Sequence, residues 1–153
     1  MNSPLRIGTR ESPLALWQAN NLQEKLKTLG IVSTLVAVKS QGDLDLTQPL
    51  YSMGITGIFT KTLDSALLNK TVDIAIHSMK DVPTLLPEGI VQTAVLKRGL
   101  VMDLMVWKNK EVKKKKTRII ATGSLRRKAQ WLALYPNDIV VPLRGNIQTR
   151  MEK

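Results

Sequence analysis

The stretch IGTRESPLALWQA, residues 7–19, decides how this chain folds. Its first residues, Ile7-Gly8-Thr9, predict the end of a short strand, and Ser12-Pro13 is typical of an N-cap followed by the first helical position. Apolar residues then recur at helical spacing, and Gly30 is a typical helix stop. They are Ala15, Ala19, Leu22, Leu26 and Leu29. A short strand that passes directly into a helix is how an α/β unit begins.

The same alternation of strand and helix continues along the chain. An apolar face predicts a second helix after a turn-rich connection over residues 41–57. This face consists of Phe59, Leu63, Ala66 and Leu67. Residues 124–135 predict a third helix, Asn146 is placed to cap a fourth, and residues 108–116 predict a charged loop. Predicted strands cover residues 31–39, 72–76, 90–96, 102–108, 118–121 and 138–143. Strands that alternate with helices predict an α/β fold with parallel pairing.

The composition indicates a globular protein with an anionic partner. Of its 153 residues, 43% are hydrophobic and 23% are charged, which is normal for a globular chain of about one domain. Lys and Arg total 23 against 12 acidic residues, a net charge of +11. This imbalance leaves nucleic acid, a membrane surface or an acidic small molecule open as the partner.

Residue types that are scarce in the sequence exclude several kinds of chemistry. The chain has no cysteine, which excludes a disulfide, a thiol nucleophile and a thiolate metal site within it. Its one histidine cannot form a histidine metal cluster, so no metal site is expected. The sequence shows neither a signal peptide nor an apolar stretch of membrane-spanning length, and a cytoplasmic protein is the expectation.

Three segments share a pattern in which a strand ends, a short polar turn follows and a helix begins beside an arginine. We call them the arginine junctions: residues 8–13, residues 122–127, and residues 143–146 with Arg150 one turn further on. A helix N-terminus and a planar guanidinium both favour a carboxylate or a phosphate. Because ligands of open α/β sheets bind beyond the carboxyl ends of the strands, the junctions together predict one site for a multiply charged anion. Each junction taken singly is explained more simply as an ordinary cap with a solvated arginine.

The segment from His77 to Pro83 lies at the end of the predicted strand 72–76, on the same edge. Lys80 can pair with an anion, and Asp81 can stabilise a cation or manage a proton. From spacing alone, a surface ion pair is the commoner explanation of these two residues, and His77 is more often structural than catalytic.

Other conspicuous residues have simpler explanations. The run Lys113–Lys116 predicts a solvated loop rather than a nucleic-acid patch, because aromatic residues are scarce near it. Trp17 falls in the apolar pattern of the first helix and is expected in the core, as are Trp107 and Trp131.

Five blocks of sequence occur in the order typical of the hydroxymethylbilane synthase (porphobilinogen deaminase) family. They are LRIGTR (5–10), SPLALWQA (12–19), DIAIHSMKDVP (73–83), GSLRR (123–127) and LRGNIQTR (143–150). The chain therefore resembles the N-terminal portion of this family over essentially its whole length. The resemblance implies periplasmic-binding-protein-like (type II) domains with mixed, mainly parallel sheets. The composition break near Arg98-Gly99 then implies an N-terminal domain over 1–98, with the catalytic aspartate, and the first part of a second, Arg-rich domain over 99–153.

The resemblance also implies an activity. The family is a transferase that joins four porphobilinogen molecules head to tail, with release of ammonia at each step, in tetrapyrrole (porphyrin, haem) biosynthesis. It builds the chain on a dipyrromethane cofactor held by a cysteine thioether, and cationic azafulvene species form when ammonia leaves. The polycarboxylate pyrroles would be the multiply charged anion that the arginine junctions bind. The full-length protein would be a monomer without nucleic-acid or membrane partners.

Roles for individual residues follow from the same resemblance. Asp81 matches the essential aspartate, which would hold pyrrole N–H groups and stabilise positive charge. The positions that match cofactor-binding residues are Asp43, Ser78, Lys80, Thr122, Ser124, Arg126, Arg127 and Arg144. The positions that match substrate-binding residues are Arg10, Ser12, Gln18, Arg144 and Arg150.

The chain departs from the family pattern in three respects. Residues 54–59 read GITGIF where the family often has GGKGLF, so a lid lysine is lost. Gly123 replaces a usual serine, which removes a hydroxyl donor. The cofactor cysteine belongs to a third, C-terminal domain that is absent here, so this fragment alone is expected to be inactive. Two other functions remain open, namely a small-anion-binding module without turnover and a basic nucleic-acid-binding protein.

Overall fold

The computed structural model describes residues 3–39 and 60–152 of the chain. It divides into two compact units, Met1–Gln92 (unit 1) and Thr93–Lys153 (unit 2). Both units combine helices with parallel strands, which confirms the predicted mixed α/β architecture. In these ranges, no helix has the length and apolar character needed to cross a membrane.

In the part of unit 1 that the structure describes, three parallel strands form a sheet in the order β2-β1-β3. Residue Leu5 pairs with Ser33 at one end of β1 and Arg10 with Val38 at the other, while Gly8 pairs with Ala75 of β3. The elements are β1 (Leu5–Arg10), α1 (Pro13–Thr28), β2 (Ser33–Val38), α2 (Lys61–Leu68), β3 (Ile74–Ala75) and a 3₁₀ turn (Met79–Asp81). The carboxyl ends of all three strands therefore lie at one edge.

The core of unit 1 forms where β1 meets the helices. Ile7 and Ala19 are fully buried, and Leu63 of α2 is 1% exposed. A Cβ atom at Gly8 would lie 2.9 Å from Leu63 Cδ2 and 3.1 Å from Val72 Cγ2, so the glycine lets the side chain of Leu63 approach the strand closely. Close packing of this kind fixes the position of α2 against the sheet.

The helix α1 buries a narrower face than the sequence suggests. Ala15 and Ala19 are its buried residues, whereas Trp17 is 62% exposed. The prediction that Trp17 belongs to the core is therefore wrong. Small alanines face β1 because they allow close approach, and a helical residue two positions away points to another side of the helix.

An ion pair joins β1 to the segment before β3. Arg6 Nη2 lies 2.6 Å from Asp73 Oδ1, and Arg6 Nε and its backbone N–H donate to Asp73 Oδ2 at 3.1 and 2.7 Å. These hydrogen bonds lower the pKa of Asp73 to about 2. The contact aligns the start of the chain with the strand that leads to His77.

Unit 2 contains a parallel pair of strands, β4 and β5, in which Ile119 pairs with Ile139 and Ala121 with Val141. Its elements are α3 (Lys110–Lys113), β4 (Ile119–Ala121), α4 (Leu125–Leu134), β5 (Ile139–Val141) and α5 (Ile147–Glu152). The short helix α3 occupies part of the predicted charged loop. The helix predicted over 124–135 and the strands predicted over 118–121 and 138–143 are confirmed within one to two residues at their ends.

A side-chain cluster holds the amino ends of β4 and β5 together. Asp138 Oδ1 accepts the backbone N–H of Arg118 at 2.8 Å, and Oδ2 accepts Arg118 Nε and Trp131 Nε1, each at 2.9 Å. Burial acts to raise the pKa of Asp138, but the hydrogen bonds from Arg118 and Trp131 outweigh it and the pKa is lowered. The Arg118 guanidinium also lies 4.3 Å from the ring centre of Tyr135 and 6.0 Å from that of Trp107.

Two predicted strands are absent. Residues 90–96 and 102–108 have no helix or strand assignment, and many of their apolar side chains are exposed. The prediction of strands there is wrong for the described structure, because an extended segment becomes a strand only when a neighbour accepts and donates its backbone hydrogen bonds. The strand predicted over 72–76 is also shorter, with only Ile74–Ala75 paired.

Candidate functional site

The first arginine junction lies at the carboxyl end of β1 in unit 1. The buried Thr9 hydroxyl donates to the carbonyl of Ala15 at 3.2 Å, which holds the turn against the first turn of α1. Ser12 Oγ accepts the backbone N–H of Ala15 at 3.3 Å, so the predicted N-cap is confirmed. Arg10 and Ser12 are both half-buried and lie at the edge where parallel α/β sheets bind ligands.

The segment from His77 to Pro83 leaves β3 at the same edge. The N–H of Ile76 donates to the carbonyl of Gly8 at 3.0 Å, which places the segment beside the first junction. The Ser78 hydroxyl donates to Gln18 Oε1 at 3.1 Å, and the N–H of Asp81 donates to the carbonyl of Ser78 at 2.9 Å. Unit 1 therefore brings Gln18, Ser78 and Asp81 into one neighbourhood.

Charges surround His77 in this neighbourhood. Burial lowers the pKa of His77, and the positive charge of Arg10 acts in the same direction. The carboxylates of Asp64 and Asp81 oppose this shift without reversing it. Folding therefore favours the neutral form of the imidazole. Lys80 is exposed.

The second junction caps α4 in unit 2. The N–H of Thr122 donates to the carbonyl of Val141 at 3.0 Å, and Thr122 Oγ1 accepts the N–H of Ser124 at 3.2 Å. Ser124 Oγ in turn accepts the N–H of Arg127 at 3.3 Å. These bonds fix Arg126 and Arg127 in the first turn of the helix, where N–H groups and the helix dipole both attract anions.

The third junction lies directly against the second. A Cβ atom at Gly123 would lie 2.7 Å from the carbonyl oxygen of Leu143, a distance that real side chains do not reach. Asn146 Oδ1 accepts the N–H of Thr149 at 3.0 Å, which confirms the predicted cap, and Arg150 Nε donates to the carbonyl of Gly145 at 2.6 Å. Unit 2 therefore brings the second and third junctions together.

Arg127 has a partner that the sequence did not predict. Its Nε donates to Asp103 Oδ2 at 2.7 Å and its Nη2 to Asp103 Oδ1 at 2.6 Å. The hydrogen bonds from Arg127 lower the pKa of Asp103, and the charge of Arg126 adds to this shift. The only signal in the sequence is that Asp103 interrupts an otherwise apolar run. The pair demonstrates that Arg127 can grip a carboxylate with two hydrogen bonds.

The predicted site residues fall into two groups. Unit 1 positions Arg10, Ser12, Gln18, Ser78, Lys80 and Asp81, and unit 2 positions Thr122, Ser124, Arg126, Arg127, Arg144 and Arg150. Asp43 and the segment 54–59 lie outside the described residues. Two open clefts of unit 1 lie away from these residues, around Gly30–Ser33 at the amino end of β2. The ligand roles of the site residues stay predictions.

Comparison with known proteins places this arrangement in a family. Residues 5–153 match the family model described as porphobilinogen deaminase, dipyromethane cofactor binding domain. The chain is 45% identical over 151 residues to a probable porphobilinogen deaminase of Methanocaldococcus jannaschii, which covers 97% of this chain and 51% of the relative.

Two further relatives come from distant organisms. A porphobilinogen deaminase of Orientia tsutsugamushi is 43% identical over 97% of this chain and 51% of its own length. A chloroplastic porphobilinogen deaminase of Oryza sativa subsp. japonica is 44% identical over 99% of this chain and 44% of its own. The chain thus spans about half the length of the curated relatives it matches. The match over residues 5–153 and these identities show that the chain belongs to the porphobilinogen deaminase family.

Proposed function

We propose that this chain is the cofactor-binding portion of a hydroxymethylbilane synthase. Such a transferase condenses four porphobilinogen molecules head to tail, releases one ammonia at each step and serves tetrapyrrole biosynthesis. The observation that carries the proposal is the hydrogen bond between Ser78 and Gln18, which joins the Asp81 segment to α1 directly behind the first arginine junction. A carboxylate, hydroxyl groups and positively charged side chains thereby lie at one edge of the sheet of unit 1. These are the groups that binding of a polycarboxylate pyrrole requires.

The donor set of the second and third junctions fits the dipyrromethane cofactor. Its acetate and propionate groups are carboxylates, and hydroxyls and guanidinium groups are the side chains that bind carboxylates best. Arg127 already binds the carboxylate of Asp103 in this way. We propose that Thr122, Ser124, Arg126, Arg127 and Arg144 hold the cofactor, together with Ser78, Lys80 and Asp43. When bound, the cofactor supplies the pyrrole to which substrate is first joined.

We propose that Asp81 stabilises the positive charge that develops on the incoming porphobilinogen. As the bond between its aminomethyl carbon and nitrogen breaks and ammonia departs, positive charge spreads into the pyrrole ring and its N–H. A carboxylate within hydrogen-bond reach of that N–H stabilises the charge. The 3₁₀ turn holds the backbone of Asp81 through the bond from its N–H to the carbonyl of Ser78, which fixes where its side chain leaves the main chain.

The remaining residues bind and orient substrate. Arg10, Ser12 and Gln18 would take the carboxylates of the incoming porphobilinogen, with Arg144 and Arg150 toward the growing chain. Gln18 Oε1 accepts the hydrogen bond from the Ser78 hydroxyl. The amide nitrogen of Gln18 would then donate to an acidic group of the substrate. Lys80 adds a positive charge at the rim, which raises the local concentration of a polycarboxylate substrate.

For the fold as a whole, we propose periplasmic-binding-protein-like (type II) domains, with an N-terminal domain over 1–98 and part of a second over 99–153. The boundary between the two compact units falls a few residues earlier in the sequence, between Gln92 and Thr93. Because the chain contains no cysteine, we propose that the thioether to the cofactor is made elsewhere in the complete enzyme. On this basis the 153-residue chain alone does not turn over porphobilinogen.

The experiment joins this chain to the half of the M. jannaschii relative that it does not match. The product is incubated with porphobilinogen, ammonia and porphyrin are followed, and the mass of the protein is checked for a covalent dipyrromethane. Asp81→Ala should lower turnover by about 100-fold to 1000-fold, as expected for loss of one charge-stabilising group. Glu24→Ala, an exposed carboxylate on α1, is the matched control. Unchanged turnover in Asp81→Ala, or turnover by the 153-residue chain alone, would contradict the proposal.

A further inference from the structure

The contact between Asp103 and Arg127 uses only one edge of the guanidinium group. Arg127 Nε donates to Asp103 Oδ2 at 2.7 Å and Arg127 Nη2 donates to Asp103 Oδ1 at 2.6 Å, so both bonds lie on the Nε–Nη2 edge. A guanidinium carries five N–H donors, of which this contact takes two. The Nη1–Nη2 edge lies outside the contact, and its donors suffice to bind a second carboxylate with two hydrogen bonds.

The start of α4 is unusually rich in positive charge. Arg126, Arg127 and Lys128 all lie in its first turn, and this turn contains no acidic residue. The unpaired N–H groups and the dipole already make a helix N-terminus positive, so cations are disfavoured there. Without an anion close by, the Arg127 guanidinium would be repelled into solvent. Asp103 supplies this anion from 24 positions earlier in the chain.

The contact orients the Arg127 side chain more than it stabilises the fold. The side chains of Asp103 and Arg127 are 62% and 54% exposed, and an exposed ion pair contributes little to stability. The backbone of Arg127 is held separately, because its N–H donates to Ser124 Oγ at 3.3 Å. Fixed points at the backbone and at the guanidinium restrict the rotamers of the long side chain between them. The Nη1–Nη2 edge is therefore oriented before a ligand arrives.

We propose that Asp103 is a positioning residue, which holds Arg127 so that the Nη1–Nη2 edge meets a carboxylate of the dipyrromethane cofactor. The inference rests on the proposed function, in which Arg127 belongs to the cofactor-binding residues. Asp103 and the cofactor carboxylate bind different edges of one guanidinium, and neither displaces the other. If Asp103 instead occupied the place of the ligand, its removal would strengthen binding, so the two arrangements predict effects of opposite sign.

Binding of citrate, a multiply charged carboxylate probe, tests the positioning role without the cofactor. The chain is fused to the unmatched half of the M. jannaschii relative, with the cofactor cysteine of that half replaced by serine, and calorimetry gives the Kd of citrate. Asp103→Asn should raise this Kd by about 2-fold to 10-fold, the cost of ordering one long side chain on binding. Loss of the negative charge by itself would lower Kd, so a higher Kd reports lost orientation.

Control variants separate orientation from charge and from folding. Glu111→Gln removes the same charge from an exposed carboxylate of unit 2 that pairs with Lys114, and it should not raise Kd. Asp103→Glu keeps a carboxylate beside Arg127 and should recover most of the affinity. In an Arg127→Gln background, Asp103→Asn should have no further effect, because the side chain that it orients is gone. The urea midpoint of Asp103→Asn should stay close to that of the unsubstituted protein.

Nuclear magnetic resonance of labelled arginine follows the contact when the cofactor is present. In the fused chain with its cysteine intact, the Arg127 Nε–H signal should keep the position that it has without cofactor. Asp103→Asn should move this signal in both forms, because Asp103 stays bound to the Nε–Nη2 edge. A signal that moves on cofactor attachment and no longer responds to Asp103→Asn would show that the cofactor displaces Asp103, and would overturn the proposal.

The citrate measurements can overturn the positioning role independently. An unchanged Kd in Asp103→Asn would reduce the contact to an ordinary surface ion pair, and a lower Kd would make Asp103 a competitor of the ligand. An equal rise in Kd with Glu111→Gln would also contradict it. A fused chain with its cysteine that gains no dipyrromethane mass would count against the proposed function, whereas the citrate result would still decide the role of Asp103.

Discussion

Gly123 sets how closely the second and third arginine junctions approach each other, and its substitution tests that geometry. A Cβ atom at this position would lie 2.7 Å from the carbonyl oxygen of Leu143. That oxygen belongs to the backbone just beyond β5, so it cannot rotate away as a flexible side chain would. Gly123→Ala must therefore push residues 143–145 away from residues 122–124, or distort both.

The expected magnitude follows from two opposing terms. Overpacking of a close contact costs about 1–3 kcal/mol. Replacing glycine by alanine also restricts the unfolded chain, which by itself stabilises a protein by about 0.4–1 kcal/mol. Gly99→Ala is the matched control, because a Cβ there meets nothing within 4 Å and its φ is not in the left-handed region. The difference between the two variants isolates the contact at Leu143, about 1–3 kcal/mol.

Urea unfolding followed by tryptophan fluorescence measures this difference, because Trp107 and Trp131 both belong to unit 2. In a domain of the size of unit 2, each 1 kcal/mol in the free energy of unfolding corresponds to about 4–8 °C in Tm. Gly123→Ser should show the same loss, although it restores the hydroxyl that the family usually has, and it should not improve binding of pyrrole carboxylates. Equal stability of Gly123→Ala and Gly99→Ala would refute the close approach of the two junctions.

Two further predictions concern unit 1. Leu63→Ala should lower the free energy of unfolding by about 2–5 kcal/mol in urea, because Leu63 is only 1% exposed. Leu68→Ala on the same helix should cost much less, because Leu68 is 50% exposed. Equal effects of the two substitutions would contradict the described core. Because burial holds the pKa of His77 below its usual range, folding favours the neutral imidazole, and this contribution to stability is present above the ordinary pKa and lost as pH falls through the folded pKa. Stability should fall more steeply from pH 7.5 to 5 in the wild type than in His77→Gln, and parallel curves would argue against a buried imidazole.

Local features of the site could be predicted from the sequence because their causes are local. The caps at Ser12, Ser124 and Asn146 each accept an N–H three residues along the chain, a distance that sequence spacing specifies. The strand-to-helix junctions follow from the same spacing. Placement of the second junction beside the third depends only on β4 and β5 being parallel neighbours, which alternation of strands and helices predicts.

Features that depend on distant partners could not be predicted. The bond from Ser78 to Gln18 and the pair of Arg127 with Asp103 join residues 60 and 24 positions apart, and no spacing rule connects them. Residues 102–108 have the composition of a strand, but a strand also needs a neighbour, and composition does not supply one. The apolar spacing of α1 wrongly predicts that Trp17 is buried, because this spacing tolerates one apolar residue beyond the buried face.

The cluster of Arg118, Asp138 and Trp131 has a consequence for how the second and third arginine junctions can be altered. It fastens β4 to β5 at their amino ends, the end of the strands remote from the arginine junctions. A scaffold that is fastened at one end tolerates changes of loop side chains at its other end, provided that the close approach of Gly123 to the Leu143 carbonyl is kept. Unit 2 is therefore a natural host for altered loop side chains with new ligand preferences, and the same division would let evolution retune these loops without dismantling the strands.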